Sequence, residues 1–343
     1  MIRNKRFYFS MIVLLSLLLS ACGQKATVTV RNGNSEDGNT SNQQSKDAPK
    51  ELKKLTISVP AKSLAFLPLY MGVEKGMYAE EGIDLSVSVL KASAAVAAAI
   101  SGEVPYTGSL GSTFRSTITG GSGLKVVMVT LDKLGFSLFA AKDIGSIQDL
   151  KGKAVMVTNT TGSDNYVLKK MLEKEGLDPN TFLNAVSSST TANSYQGLLG
   201  GASQGAVLSP PYSQMAEQEG FPRLKNAIDV IQRGNAGISV TTEYLQQNGE
   251  EVEKMIRATL KSMKYIKENE QEVISFISEF FEIDPELAKG AYADTVVLFS
   301  DDGTLAEEVF MEEINEILKE TNSTSKIKVS DAVDFRIVKS LAQ

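Results

Sequence analysis

Leu55-Thr56-Ile57-Ser58-Val59, Pro68-Leu69-Tyr70-Met71-Gly72-Val73-Glu74-Lys75 and Ile83-Asp84-Leu85-Ser86-Val87-Ser88-Val89 read in succession as strand, helix and strand. The outer runs are β-branched and bounded by Pro60 and by Glu81-Gly82, whereas the middle one carries its apolar residues at helical spacing and stops at Gly76. The scheme continues outward. Helices over Ala92 to Ser101 and Ser112 to Thr119 alternate with strands over Pro105 to Thr107 and Val126 to Val129. Strands alternating with helices of about ten residues predict an α/β fold with a mostly parallel sheet.

A second round of the same scheme predicts a second lobe. A strand over Ala154 to Val157 leads into a helix from Ser163 to Glu175, stopped by Gly176. Another helix from Thr191 to Leu199 precedes a strand at Ala206 to Leu208. The last third is helical. Val252, Met255, Ile256, Thr259, Met263 and Ile266 mark one face of a long helix, for which Asn248 and Glu251 have capping-box spacing. Asp284-Pro285 gives an N-cap followed by proline at the first helical position. Thr304 and Glu307 are expected to open a further helix, with Leu305, Val309, Phe310, Ile314, Ile317 and Leu318 inward.

The N-terminus has a different character. Arg3, Lys5 and Arg6 precede the apolar run Phe7 to Leu19, and Leu19-Ser20-Ala21-Cys22 follows. This resembles the lipobox of bacterial lipoproteins, which implies cleavage after residue 21 and acylation of Cys22. Several acyl chains make a stable anchor where one would hold only marginally. Residues 22–50 are almost all Asn, Ser, Gly, Gln, Asp, Lys and Thr, too poor in apolar groups to offset the entropy of ordering, and read as a disordered tether. No later stretch is apolar enough for long enough to span a bilayer.

Composition then narrows the chemistry. The chain has no histidine and one cysteine, which removes triads, thiol nucleophiles, zinc sites and any disulfide. Carboxylate chemistry, an oxygen-ligated cation or binding alone survive. The net charge of −6 becomes three units more negative without Arg3, Lys5 and Arg6, with the acids dispersed, so nucleic acid is not expected as a partner. Gly201-Ala202-Ser203-Gln204-Gly205 fits the Gly-x-Ser-x-Gly pattern, but it has a helix before it, a strand after it and no histidine, so it is not a nucleophile elbow. Roughly 290 residues remain for the fold, a length more naturally split between two lobes than packed around one core.

Pro68-Leu69-Tyr70-Met71-Gly72-Val73-Glu74-Lys75-Gly76-Met77-Tyr78, with Glu81-Gly82-Ile83-Asp84-Leu85, resembles the opening of the nitrate, sulfonate and taurine type substrate-binding proteins of ABC transporters. Ser101-Gly102-Glu103-Val104, Gly108-Ser109-Leu110-Gly111-Ser112, Gly123-Leu124-Lys125-Val126-Val127 and Ile147-Gln148-Asp149-Leu150-Lys151-Gly152-Lys153 follow in the order of that family. The likeness runs from about Leu55 to Thr242 and departs from the pattern at Pro105, where the family often has aspartate.

The resemblance implies an α/β receptor of the periplasmic-binding-protein type II fold, two lobes with a central cleft. Residues 51–140 and 235–343 would form lobe I and residues 141–234 lobe II. It also implies a small-molecule solute, an ABC permease of the same membrane as partner, a monomer, an extracytoplasmic place on the membrane, and no cofactor, metal or catalytic residue. Two enzyme groups share the domain. Pyrimidine synthases of thiamine biosynthesis rely on histidine and a cysteine-rich motif that are missing here, and dehydratases acting on chorismate-like acids fit an exterior anchor poorly. A membrane-tethered ligand-sensing domain is the alternative in another class.

Within such a fold, ligands settle at the carboxyl ends of strands, where helix N-termini present free N–H groups. Two clusters have that placement: Ser109, Gly111, Ser112 and Thr113 after one strand, and Thr161, Gly162 and Ser163 after another. Ser112 and Ser163 read either as ligand donors or as plain helix caps. Ser63 and Phe66 after the first strand, Pro210 and Tyr212 in the second lobe, and Asn235 near the hinge are the remaining candidates for the walls. Arg115 and Asp164 could meet charged parts of a ligand or form local salt bridges.

Overall fold

Two five-stranded sheets, built on one plan, organise the described residues 51–160 and 162–341 of a computed structural model. The strands are β1 (Lys53–Val59), β2 (Ile83–Val89), β3 (Tyr106–Ser109), β4 (Leu124–Leu131), β5 (Ser137–Ala140), β6 (Ala154–Val157), β7 (Asn184–Ser187), β8 (Gly205–Leu208), β9 (Arg223–Asn226) and β10 (Ala236–Thr241). Residues 1–21 and 22–50, read above as a signal segment and a tether beginning at Cys22, and Thr161 lie outside the described residues.

The first sheet has the order β2-β1-β3-β10-β4 and the second β7-β6-β8-β5-β9. In each, three parallel strands come first: Lys53↔Ile83 through Val59↔Val89 and Ile57↔Tyr106 in one, Ala154↔Asn184 through Val157↔Ser187 and Val155↔Gly205 in the other. The fourth strand then arrives from the other sheet and runs antiparallel to both neighbours, as β10 does between β3 and β4 and β5 between β8 and β9. The chain therefore crosses between sheets twice, through residues 132–136 and 227–235. Parallel neighbours need a crossover helix, whereas a strand returning from the other sheet can pair antiparallel.

One boundary differs from the sequence reading. Ser137–Ala140, which falls in lobe I when the division is set at residue 140, is hydrogen-bonded into the second sheet, from Ser137↔Leu208 to Ala140↔Gly205. Ser137-Leu138-Phe139-Ala140 is short, wholly buried and follows β4 closely, so nothing local distinguishes the two sheets as its partner.

Alternation along the central strands divides the cores. In the second sheet, Val207, Leu138 and Ala140 face Val167, Leu168, Met171 and Leu172 of the helix Ser163–Lys174, while Ala206, Leu208 and Phe139 face Tyr195 and Leu198 of the helix Thr191–Leu199. On the first sheet, Ile57, Val59, Ile83 and Leu85 share a core with Val252, Met255, Ile256, Met263 and Ile266 of the helix Gly249–Glu268. The opposite face packs Phe114 and Ile118 against Phe310, Ile314 and Ile317 of the helix Glu307–Glu320. Each such buried aliphatic side chain contributes about 2 kcal/mol, which is what holds a helix as charged as Gly249–Glu268 to the sheet.

Two expected caps are absent. Asn248 donates its side chain to the Tyr244 carbonyl at 3.2 Å, and Glu251 accepts the hydroxyls of Tyr106, at 2.8 Å, and of Tyr244, while pairing with Lys53. Leaving a buried hydroxyl unmet costs about 1 to 3 kcal/mol, more than the roughly 1 kcal/mol of a cap, so Glu251 serves the tyrosines. Burial alone would raise the Glu251 carboxyl, but Lys53 and the two phenols outweigh it and hold the group below its usual range. Thr304 donates instead to Asp302 at 2.7 Å, and that helix starts three residues later. The cap at Asp284 is present, accepting the Glu286 N–H at 2.9 Å with Pro285 behind it.

Candidate functional site

The helix Leu110–Gly120 leaves β3 with no intervening loop, so Ser109 is both the last strand residue and the N-cap. Its hydroxyl does not cap the helix. Ser112 donates to the Ser109 hydroxyl at 3.1 Å and Thr113 to the Ser109 carbonyl at 2.6 Å, which ties these hydroxyls to one another and leaves the first helical N–H groups without a side-chain cap.

The helix Ser163–Lys174 has a comparable start, reached from β6 through Thr158, Asn159 and Thr160. Gly162 is its N-cap and has no side chain to offer. Asp164 folds the approach back on itself by accepting the N–H groups of Thr158 and, at 3.0 Å, of Asn165. Burial raises its carboxyl against the pull of those N–H groups. The Asn165 side chain donates to the Thr160 carbonyl at 2.6 Å, and its buried amide oxygen is left without a partner. Neither Ser112 nor Ser163 therefore occupies an N-cap position.

The two helix starts meet. A Cβ built on Gly111 would stand 3.2 Å from the Ser163 hydroxyl, so only a residue without a side chain fits that approach unless the neighbour gives way. Each N-terminus carries the positive end of a macrodipole, and two such ends facing each other favour negative charge or lone pairs between them.

The other candidates distribute unevenly. Ser63 caps the short helix Leu64–Phe66, accepting the Ala65 N–H at 3.3 Å. Phe66 is a core residue whose ring lies 3.3 Å from the Cβ position of Gly108, directly before Ser109. Asn235 is half-buried on the returning crossover and donates its N–H to Leu131 at 2.9 Å, while Gly234 beside it lies against Leu110. Pro210 is buried, and Tyr212 opens the helix Tyr212–Gln218 with its ring 6.0 Å from Tyr195, inside the second sheet's own cluster. Arg115 is paired with Glu320 at 2.8 Å. The structure thus brings together Ser109, Gly111, Ser112 and Thr113 with Gly162 and Ser163, places Asn235 close by, sets Phe66 in the first sheet's core and packs the half-buried Tyr212 against the second sheet's. Thr161 lies outside the described residues.

A polar seam beside the helix starts was not legible in the sequence. Tyr166 donates to Glu316, Lys170 stands 2.8 Å from the same carboxylate, and Arg233 pairs with Glu313. The only local hint is the spacing of Glu313, Glu316 and Glu320 on one helix face. Among the described residues no helix is long and apolar enough to cross a membrane.

Comparison with known proteins agrees with this architecture. The family profile described as NMT1/THI5 like matches residues 63–273, more than half of the chain. The aliphatic sulphonate binding protein SsuA of Escherichia coli superposes with a TM-score of 0.68 at 15% identity, over 84% of this chain and 92% of that one. The periplasmic nitrate-binding protein NrtA of Synechocystis PCC 6803 does so with a TM-score of 0.68 at 14% identity, over 85% and 89%. The riboflavin-binding protein RibY of Chloroflexus aurantiacus is 24% identical over 227 residues, which are 64% of this chain and 63% of that protein. At these identities the solved structures establish a shared fold, that of periplasmic binding proteins. With its paired sheets, its double crossover and the match from the loop after β1 through the helix Gly249–Glu268 into the next, Glu270–Phe281, the chain belongs to the NMT1/THI5-like family.

Proposed function

We propose that this protein is the lipid-anchored, extracytoplasmic solute-binding component of an ABC importer. It closes two lobes around a small anionic or strongly polar organic solute and releases it unchanged to a permease of the same membrane. Lobe I is the first sheet with its helices and lobe II the second. The crossovers 132–136 and 227–235 are the hinge, of a kind that closes around ligands by rotation about a few connecting residues. The observation that carries the reading is the abutment of the two uncapped helix starts at Gly111 and Ser163. The sulphonate and nitrate receptors of the same fold support the solute class, and the absence of histidine and of a second cysteine supports binding without turnover.

Ser109, Ser112, Thr113, Thr161, Gly162 and Ser163 supply hydroxyl and N–H donors to the headgroup, with Ser63 and Asn235 at its margin. The solute is identified by native mass spectrometry of protein purified without denaturation. Calorimetric titration with that compound should then show Ser112→Ala and Ser163→Ala each losing about 1 to 3 kcal/mol of binding, because a buried partner loses its hydrogen bond. Melting temperatures should hold, since neither serine is an N-cap. Lower melting with parental affinity would mean that the serines serve the fold alone.

The anchor is tested separately. Cys22→Ser should move the protein out of the membrane fraction, or block its processing, without altering the melting of the folded part. Unchanged detergent partitioning of this variant would remove the lipid from the account.

A further inference from the structure

Ser163, Tyr166 and Lys170 follow one another at spacings of three and four and so share one face of their helix. That face meets the helix Glu307–Glu320, which belongs to the first sheet. Tyr166 donates its hydroxyl to one oxygen of Glu316, and Lys170 sits 2.8 Å from the other. Arg233, on the returning crossover, pairs with Glu313 of the same helix and lies 4.1 Å over the Tyr166 ring. The Arg233 and Glu313 side chains are only 12% and 7% exposed, so water screens that pair little. Burial opposes the charge on Arg233, and Glu313 with the Tyr166 phenol more than restores it. A residue of the crossover is thus held between an aromatic ring from one sheet's helix and a carboxylate from the other's.

We propose that Glu316, through Tyr166 and Lys170, is a positioning residue that latches the cleft closed. The affinity for solute is then set partly by groups that never touch it. This rests on the reading of the protein as a closing solute receptor. Opening the cleft carries Ser163, Tyr166 and Lys170 away together, because they are one rigid face. It therefore breaks both bonds to Glu316 and uncovers Arg233. A receptor whose competent state is a fraction of the population binds more weakly by that fraction, so weakening the latch raises the apparent dissociation constant without altering any donor to the solute.

The abutment at Gly111 supplies a readout that needs no solute. In the full chain carrying Cys22→Ser, the pair Gly111→Cys and Ser163→Cys is close enough for a disulfide only when the helix starts meet. With the latch intact, the pair should cross-link readily in a glutathione redox buffer. Glu316→Ala and Tyr166→Phe should each slow it between about twofold and tenfold, the upper figure corresponding to ~1.4 kcal/mol. About 1 M salt, where screening acts over about 3 Å, should slow the latch-intact pair more than the Glu316→Ala protein. Glu312→Ala, on an exposed position of the same helix, should cross-link at the latch-intact rate. Equal rates in all variants, an equal slowing by Glu312→Ala, or no cross-link with the latch intact would each overturn the proposal. No solute is present, so a failure of the receptor reading, seen as no retained solute in native mass spectrometry, is distinguishable from a failure of the latch.

Discussion

Gly111→Leu should abolish solute binding, by about 100-fold or more, while the protein melts no lower than the parent. Gly111 sits in the first turn of the helix Leu110–Gly120, and its backbone is ordinary for that place, since it is not among the positive-φ glycines. Leucine is a better helix former than glycine by nearly 1 kcal/mol, so the fold gains slightly. The cleft loses far more. The Cβ alone would stand 3.2 Å from the Ser163 hydroxyl, and three further carbons would fill the space that a headgroup and the two helix starts share. A hundredfold loss corresponds to about 2.7 kcal/mol, within reach of excluding one buried polar group from its donors. Calorimetric titration beside a thermal melt checks this. Parental affinity in the leucine variant would mean that the helix starts do not close on the solute.

Gly237→Ala should have the opposite signature, a loss of about 3 kcal/mol or more of stability, before any effect on binding is considered. Gly237 lies in β10, between β3 and β4, where the pairing slips by one residue after Ala236. A Cβ there would fall 2.1 Å from the Met128 carbonyl oxygen and 2.9 Å from a Leu110 methyl. The leucine methyl can swing aside. The carbonyl cannot, because it belongs to the backbone of β4, and moving it opens one of the two pairings that tie the returning chain to the first sheet. Overpacking of this kind costs about 1 to 3 kcal/mol even where side chains can yield, and here backbone must yield. A chain of this size loses roughly 2 °C per kcal/mol, so the midpoint should drop by about 6 °C or more. Gly249→Ala is the control: its Cβ meets nothing within 4 Å, and its midpoint should not fall. Equal midpoints for the two variants would contradict the packing of β10.

What the sequence by itself determined is everything that short-range physics writes into consecutive residues. The strands β1, β2, β6 and β8 are legible because apolar and β-branched runs end at glycine, proline or a helix start. The buried face of Gly249–Glu268 is legible because 3.6 residues per turn spaces Val252, Met255, Ile256, Met263 and Ile266 onto one side. Strand β3 begins at Tyr106, one residue after the expected start at Pro105, which has no N–H to give to a ladder, and runs on to Ser109. The two hydroxyl and glycine clusters at Ser109 and Ser163 are legible because each stands between an apolar strand and the start of the next helix, where the helix N-terminus is exposed.

The tertiary structure decided what depends on a partner far along the chain. Strands β7 and β9, Asn184–Ser187 and Arg223–Asn226, are four residues long and at least half polar, and only an edge offered by another strand makes them strands. β5 joined the second sheet by pairing with β8 and β9, and the partner that the Ser137 hydroxyl finds there, Asn226 at 2.9 Å, lies 89 residues along the chain. Glu251 was drawn from a cap to two tyrosines, one of them 145 residues away, because an unmet buried hydroxyl costs more than an unfilled cap. Tyr166 and Glu316, 150 residues apart, carry no local mark of each other. Backbone preference acts between neighbours in sequence and so is visible there. The meeting of Gly111 with Ser163, and the polar seam beside it, are free-energy differences between whole packings, and only the folded chain settles them.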